Sequence, residues 1–306
     1  MALFTGKDGK QCSHCKEWKL FQEFPKDKYK KDGYHSHCKT CRKVQMDEFH
    51  RMERVRRDIT AKTIMAFGDD QAPGQHPDAI EILSEGKQKF NPDLVVHNGD
   101  ELDQYHVSEY AKNPEADGPN KQHEDALEYL NRLYKLFPKV EIMRSNHVDA
   151  RWERAMKQTG LPSKFLPTIE EFIQQPKGWT RHDEFISHGI VFRHGHKDSK
   201  GQRKLITDKM LNRYDGFYSL VNGHHHECFG LSCAPQRVGK YQNVWGAHGG
   251  CLVNRNHESL AYSGGYEQIG FLIIQNGFPV PIYAEEDHHF RWTGRLINGY
   301  TGEEVG

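Results

Sequence analysis

The sequence has no apolar run of about 18 residues or more, which excludes a membrane-spanning helix from the reading. Nor does it have an excess of either charge, since 42 Lys+Arg balance 42 Asp+Glu. Its first segment, "MALFTGKDGKQCSHC", lacks an apolar core behind a basic stretch, so no secretory signal is read there and a cytoplasmic location is expected. Cysteine is sparse and odd in number, seven in 306 residues, which argues against a disulfide framework. With 36% hydrophobic and 27% charged residues, the chain is expected to fold around a real core, as one large domain and a small module.

The neutrality hides a gradient. Residues 1–60 hold 15 Lys+Arg against 9 Asp+Glu, and the remainder holds 27 against 33. A basic front on an acidic body fits a polyanionic partner for the front, and charge alone leaves a merely solvated surface equally open.

Four of the seven cysteines fall in two close pairs, Cys12-x2-Cys15 and Cys38-x2-Cys41, separated by 22 residues. Each pair presents two sulfurs from a tight turn, and two such pairs suit tetrahedral coordination of one structural zinc ion. His14, His35 and His37 are rival ligands, but each breaks the paired spacing. Between the pairs, "FQEFPKDKYKKDGYHSHC" interleaves Lys with Phe and Tyr, a mixture suited to phosphate contact and base stacking. A module that only docks to protein is the alternative. The segment is similar to the small zinc-ribbon or treble-clef modules of phage-encoded nucleases, which implies nucleic acid as a partner and a host cytoplasm as the setting. The expected division is a zinc module over 1–45, a basic helical linker over 46–60, a large domain over 61–290 and a polar tail over 291–306.

From residue 61 onward, short apolar β-branched runs repeatedly end in polar residues able to bind metal. "TIMAFGDDQ" ends at Asp69, Asp70 and Gln71, and "PDLVVHNGDELD" at Asp100 and Asp103. "KVEIMRSNHVD" ends at Asn146 and His147, "GIVFRHGHK" at His194 and His196, and "YSLVNGHHH" at His224, His225 and His226. Helical spacing of apolar residues near 77–90 and 123–136 alternates with these strands, which places the body in the α/β class. Any one strand end has a plain explanation as a turn or a solvated histidine. Five in succession point to a metal site at the carboxyl ends of the strands.

The ordered set Asp69-x-Gln71, "GDELD", "SNHVD", "HGH" and "GHHH" resembles the signature of the calcineurin-like metallophosphoesterases. The resemblance implies a β-sandwich flanked by helices, a four-layer αββα fold, with two divalent cations (Mn, Mg, Fe or Zn). It implies one ion held by Asp69, Asp100 and His226, with Gln71 where the family has histidine. The other is held by Asp100, Asn146, His194 and His224, and Asp100 bridges. His147 is the expected catalytic proton donor to the leaving oxygen, supported by Asp103. Arg151 and His196 are candidate substrate-binding residues. Ser145 replaces a family glycine, tolerable where that position keeps φ negative. Gln71 is a weaker ligand than imidazole for a borderline metal, and His76 is a nearby substitute. Arg151 follows Asn146 by five residues where relatives with an arginine there use four.

The expected activity is hydrolysis of phosphodiesters in nucleic acid by metal-activated hydroxide. A phosphomonoesterase acting on proteins or nucleotides, and a nucleic-acid-binding protein weakened catalytically by Gln71, are the alternatives. Cys228, Cys233 and Cys251 lack knuckle spacing and are read as ordinary buried thiols, and His248 and Arg255 as candidates for the mouth of the site.

Overall fold

A computed structural model describes residues 8–44, 63–109, 111–197, 218–238, 242–257 and 267–306. The chain divides into two compact units, 1–58 and 59–306. The expected linker helix over 46–60 lies outside the described residues, as does the side chain of Cys233.

The small unit is built on a hairpin of β1 (Gly9–Gln11) and β2 (Trp18–Leu20). The turn between them carries Cys12 and Cys15, and the chain closes tightly there because Lys16 adopts φ 60° and donates its N–H to Cys12 O. Cys38 and Cys41 sit at the start of a helical segment over 39–44. Phe24 is buried against Cys12, Cys38 and Cys41, with Tyr34 beside them. So small a core needs a further cross-link to hold its shape.

The large unit begins with β3 (Ile64–Phe67), α1 (Ala79–Phe90), β4 (Leu94–His97) and α2 (Pro119–Leu136). It continues through β5 (Val140–Met143), a π-helical turn (Asn146–Ala150), α3 (Arg151–Gln158), α4 (Ile169–Phe172) and β6 (Trp179–His182). Next come β7 (Phe185–Ser187), β8 (Ile190–Arg193), β9 (Ser219–Asn222), β10 (Gly230–Val238) and β11 (Gln242–His248). β12 (Gly270–Gln275), β13 (Phe278–Glu286) and β14 (Trp292–Asn298) complete it.

Seven strands form one sheet in the order β14-β13-β12-β3-β4-β5-β6, and five form a second in the order β10-β11-β9-β8-β7. β3 to β6 run parallel, as do β8, β9 and β11, so the ligand-bearing ends of β3, β4 and β5 share one edge of the large sheet.

Strand alternation explains the layering. Ile64, Ala66, Val96, Met143, Leu272 and Ile274 pack across the sandwich on Ile190, Phe192, Val221, Trp245 and Ala247. Their neighbours Met65, Phe67, Val95, Ile142, Phe271 and Ile273 face the opposite way, onto Ile82, Leu83, Ala126, Leu130 and Leu133 of α1 and α2. Val191, Leu220 and Val244 on the other face of the small sheet are buried too, so the centre of that sheet is covered on both faces. This is the α/β sandwich of the expected class.

One segment differs from expectation, and a neighbouring hairpin agrees with the sequence. Residues 291–306, read as a polar tail, supply β14, which pairs antiparallel with β13 and closes the edge of the large sheet. Only Leu296 of that strand is fully buried, which is why its apolar signal is weak. β12 and β13 join through Asn276 and Gly277, both at positive φ, as a two-residue hairpin turn requires. No helix among the described residues is long and apolar enough to cross a membrane.

Candidate metal centre

The polar ends of β3, β4, β5, β8 and β9 converge. Asp100, His194 and His224 form the tightest group, each offering a ligand atom within 4.8 Å of the others. His194 Nε2 is 3.1 Å from Asp100 Oδ2 and 2.8 Å from Asn146 Oδ1. Its other nitrogen, Nδ1, faces Asn98 O at 2.9 Å, which leaves Nε2 as the ring nitrogen aimed at the group.

Asp69, Gln71 and His226 lie beside this group. His226 Nε2 is 3.5 Å from Asp69 Oδ1 and 3.4 Å from Gln71 Nε2, and Asp69 Oδ1 is 3.9 Å from His194 Nδ1. His224 and His226 thus both lie at the group, while the His225 ring lies 5.1 Å from that of His224 and 5.3 Å from that of His248. Among the described residues, no compact three-ligand His/Cys/Asp/Glu group forms around Asp69 and His226.

The backbone is bent to make this arrangement. Asp69, Gln71, Asp100 and His224 all adopt φ between 51° and 70°, a conformation uncommon for non-glycine residues. Close packing removes slack: a Cβ on Gly223 would lie 2.8 Å from Asp69 Oδ2, and one on Gly99 2.8 Å from Ser145 Cβ. Ser145 has φ −135°, so serine is accommodated there without strain. Gly99 instead takes the positive φ of that contact.

Burial and charge oppose each other throughout. Burial disfavours charge on Asp100, yet the imidazoles of His194 and His147 outweigh it and hold the carboxyl well below its usual range. Burial likewise opposes a charged His194, but Asp100 and Asp69 raise it to about 9. His224 is pushed down to about 3 by burial and by the neighbouring His194. Gln71 Oε1 is buried without a hydrogen-bond partner, and the buried Asp100 Oδ2 faces His194 Nε2 at 3.1 Å and His147 Nε2 at 4.0 Å. Such atoms are costly unless something binds them, and oxygen and imidazole donors suit a divalent cation.

Beside the group stands a second assembly. His147 Nδ1 is 2.6 Å from Asp103 Oδ1, and its Nε2 is 4.0 Å from Asp100 Oδ2. The backbone N–H of His147 donates to Asp100 Oδ1 at 3.0 Å. Arg151 Nη1 donates to Asp103 Oδ1 at 2.9 Å and to Asp103 O. The five-residue step from Asn146 to Arg151 is absorbed by the π-helical turn, in which Arg151 N–H bonds back to Asn146 O. Arg151 is therefore engaged with Asp103, while His196 lies next to His194 along a cleft.

Several supporting residues escaped the sequence reading. His97 and Asp70, both fully buried, meet at 3.1 Å, and His97 Nδ1 accepts the N–H of Gly99. Arg181 of β6 donates to Glu101 and to Asp149 Oδ2, and Asp149 accepts the N–H of Ser145 at 2.8 Å. These pairs brace the turns before Asp100 and Asn146. Asp70 was visible beside Asp69, but nothing in spacing ties it to His97 or Glu101 to Arg181. His76 is held by Phe290 O and lies 3.4 Å from Glu286, away from the ligand group. Arg255 is likewise engaged, with Glu267 O and Glu286. Cys251 is fully buried and Cys228 half-buried.

In the small unit Cys12, Cys15, Cys38 and Cys41 place their sulfurs within 4.8 Å of one another. Cys12 Sγ accepts the N–H of Cys38 at 3.3 Å. Burial opposes its ionisation, yet N–H groups of Cys38, Cys15 and His14 draw the thiol down to about 6, while hydrogen bonding with Cys38, burial and the other sulfurs push Cys41 up to about 12.

No protein-family model matches the chain, and no curated protein matches it in sequence. Among solved structures it is similar to Vps29 of Chaetomium thermophilum, with 13% identity and a TM-score of 0.43 over 80% of this chain and 97% of that one. YfcE, a phosphoesterase from E. coli, shows 16% identity and a TM-score of 0.38 over 80% of this chain and 97% of its own. Vps29 of Cryptosporidium parvum shows 14% identity and a TM-score of 0.39 over 80% and 95%. At such values the chemistry has to be argued from this chain's own residues.

Proposed function

We propose that the large unit is a metal-dependent phosphoester hydrolase with two divalent cations, acting on phosphodiesters of nucleic acid. Asp69, Gln71, Asp100 and His226 would hold one ion and Asp100, Asn146, His194 and His224 the other. The observation that carries this reading is the convergence of Asp100, His194 and His224, with Asn146 Oδ1 in contact with His194 and Gln71 Oε1 buried without a partner. Paired cations supply an activated water at neutral pH and offset charge on the phosphoryl oxygens.

The protein's own groups do the rest. His147, with Nδ1 engaged by Asp103, presents Nε2 beside Asp100 and delivers a proton to the departing oxygen. Arg151 orients Asp103, whose carboxylate accepts from His147 Nδ1, so the imidazolium form carries on Nε2 the proton that would be donated. Arg181, Glu101 and Asp149 fix the turn that carries Asn146 and His147.

The four-cysteine unit is proposed to bind structural zinc and to contact nucleic acid. Its support is the four converging sulfurs, together with Trp18 and Tyr29, which are exposed among Lys19, Lys26, Lys28, Lys30 and Lys31. Assignment of the large unit, 59–306, as the catalytic domain follows the same reading.

The test is hydrolysis of bis-(p-nitrophenyl) phosphate with added Mn, comparing wild type with Asp100→Asn and His147→Ala. The proposal expects turnover in wild type, a loss of about 100-fold or more in Asp100→Asn, and for His147→Ala a loss of that size on a diester with a poor leaving group such as thymidine but little change on the p-nitrophenyl ester. Equal rates in all three would remove the catalytic claim. Parallel assays with p-nitrophenyl phosphate separate diester from monoester action.

A further inference from the structure

A polar cleft of about 280 Å³ opens directly from the ligand group, because His194 forms part of its wall. The segment after β8 continues along it through His196 and Lys197, and Arg144 and Arg193 line it as well. Arg144 immediately precedes Ser145, Asn146 and His147, so the two loops that present ligands on one side present cations on the other.

The charges are partly fixed in place. Arg193 is almost fully buried, and its Nε donates to Asn222 Oδ1 at 3.0 Å. Arg144 Nη1 donates to Asp149 Oδ1 at 3.1 Å. Two carboxylates, Asp183 and Glu184, share the cleft with these three cations and with His196. Lys197 lies 3.2 Å from Asp183, and both side chains are largely exposed, so that pair is weak and can exchange for a phosphate. Asp149 offsets Arg144 and Asn222 holds Arg193, so Lys197 is the cation of the cleft free to turn to a phosphate, and the guanidinium groups beside it suit phosphate oxygens.

We infer that this cleft binds the phosphate next to the one being cleaved, so that the substrate is a nucleotide chain with at least two phosphodiesters. The inference rests on the phosphodiesterase reading of the metal centre. It separates that activity from action on isolated phosphate esters, because a single-phosphate substrate leaves the cleft empty.

The experiment uses the full chain with Mn and measures release of p-nitrophenolate. A p-nitrophenyl ester of thymidylate, with one phosphate, is compared with the same ester extended by a second thymidylate, in both strand polarities. Lys197→Gln and Lys197→Glu are compared with wild type, since Lys197 is exposed and its loss spares the fold. The expected result is a kcat/KM about tenfold higher for the two-phosphate substrate in one polarity, arising in KM. That advantage shrinks in Lys197→Gln and disappears in Lys197→Glu, while one-phosphate turnover is unchanged in both. Equal kcat/KM for the two substrates in both polarities, or an advantage that survives Lys197→Glu, overturns the cleft assignment while leaving the hydrolase reading intact. No metal-dependent release from any substrate overturns both.

Discussion

Arg151 and Asp103 are joined by two hydrogen bonds from one guanidinium nitrogen, and the same Asp103 oxygen lies 2.6 Å from His147 Nδ1. Three residues from two loops thus form a single line ending at His147 Nε2. An arginine engaged in this way is placed to set the imidazole's orientation. Arg151→Gln is expected to lower kcat about 10- to 100-fold on diesters with poor leaving groups such as thymidine, and far less on p-nitrophenyl esters, which need no proton. KM should change little. The dependence of log kcat on leaving-group pKa measures this, and a uniform loss across leaving groups would assign Arg151 a purely structural role.

On the two-cation proposal Gln71 would make the first ion position weaker than the second, because a carboxamide oxygen is a poorer partner for a borderline cation than imidazole. Gln71→His should tighten the weaker of two binding steps by about tenfold, read by competition with a fluorescent chelator. An unchanged weaker constant would place Gln71 outside the ligand set.

The small unit gives a separate expectation. Cys38→Ser should lower zinc content by about one ion per chain and render the segment around residues 8–44 sensitive to protease, since thiolate binding and folding are coupled there. Retention of zinc at wild-type level would show that the four sulfurs are not its ligands.

His248 supplies a pH signature. Burial chiefly, with the neighbouring His225 adding to it, pushes its imidazole down to about 4, whereas an unfolded histidine titrates near 6.5. The folded state favours the neutral ring, so this contribution is fully present above about pH 6.5 and is lost as pH falls toward 4. The full swing is worth about 3 kcal/mol at most. Urea denaturation of His248→Leu between pH 7.5 and 5 should show a smaller loss of stability on acidification than wild type. Identical pH slopes would contradict the assignment.

Much of this was legible in the chain. Runs such as "IMAF" and "LVVH" announce buried strands through their β-branched and apolar content, and the polar residues behind them announce a shared edge. β14 was not legible, because an edge strand with Gly294 and one fully buried side chain reads as polar tail. The step from Asn146 to Arg151 was visible as an anomaly of one residue, but spacing cannot say whether a turn widens or a side chain swings away. The structure widens the turn. Nor could spacing reveal the bracing of Glu101 by Arg181, two residues 80 positions apart whose contact exists only once β6 joins the sheet.

The central claim is that Asp69, Asp100, Asn146, His194, His224 and His226 enclose two cations. Element-resolved metal analysis of the Mn-loaded protein tests it most directly, with Asp100→Asn as the comparison. The account predicts two ions per chain beyond the zinc of the cysteine unit, and the loss of both on replacing the bridging carboxylate. A wild-type protein holding zinc alone, or an Asp100→Asn protein that keeps both extra ions, would contradict it.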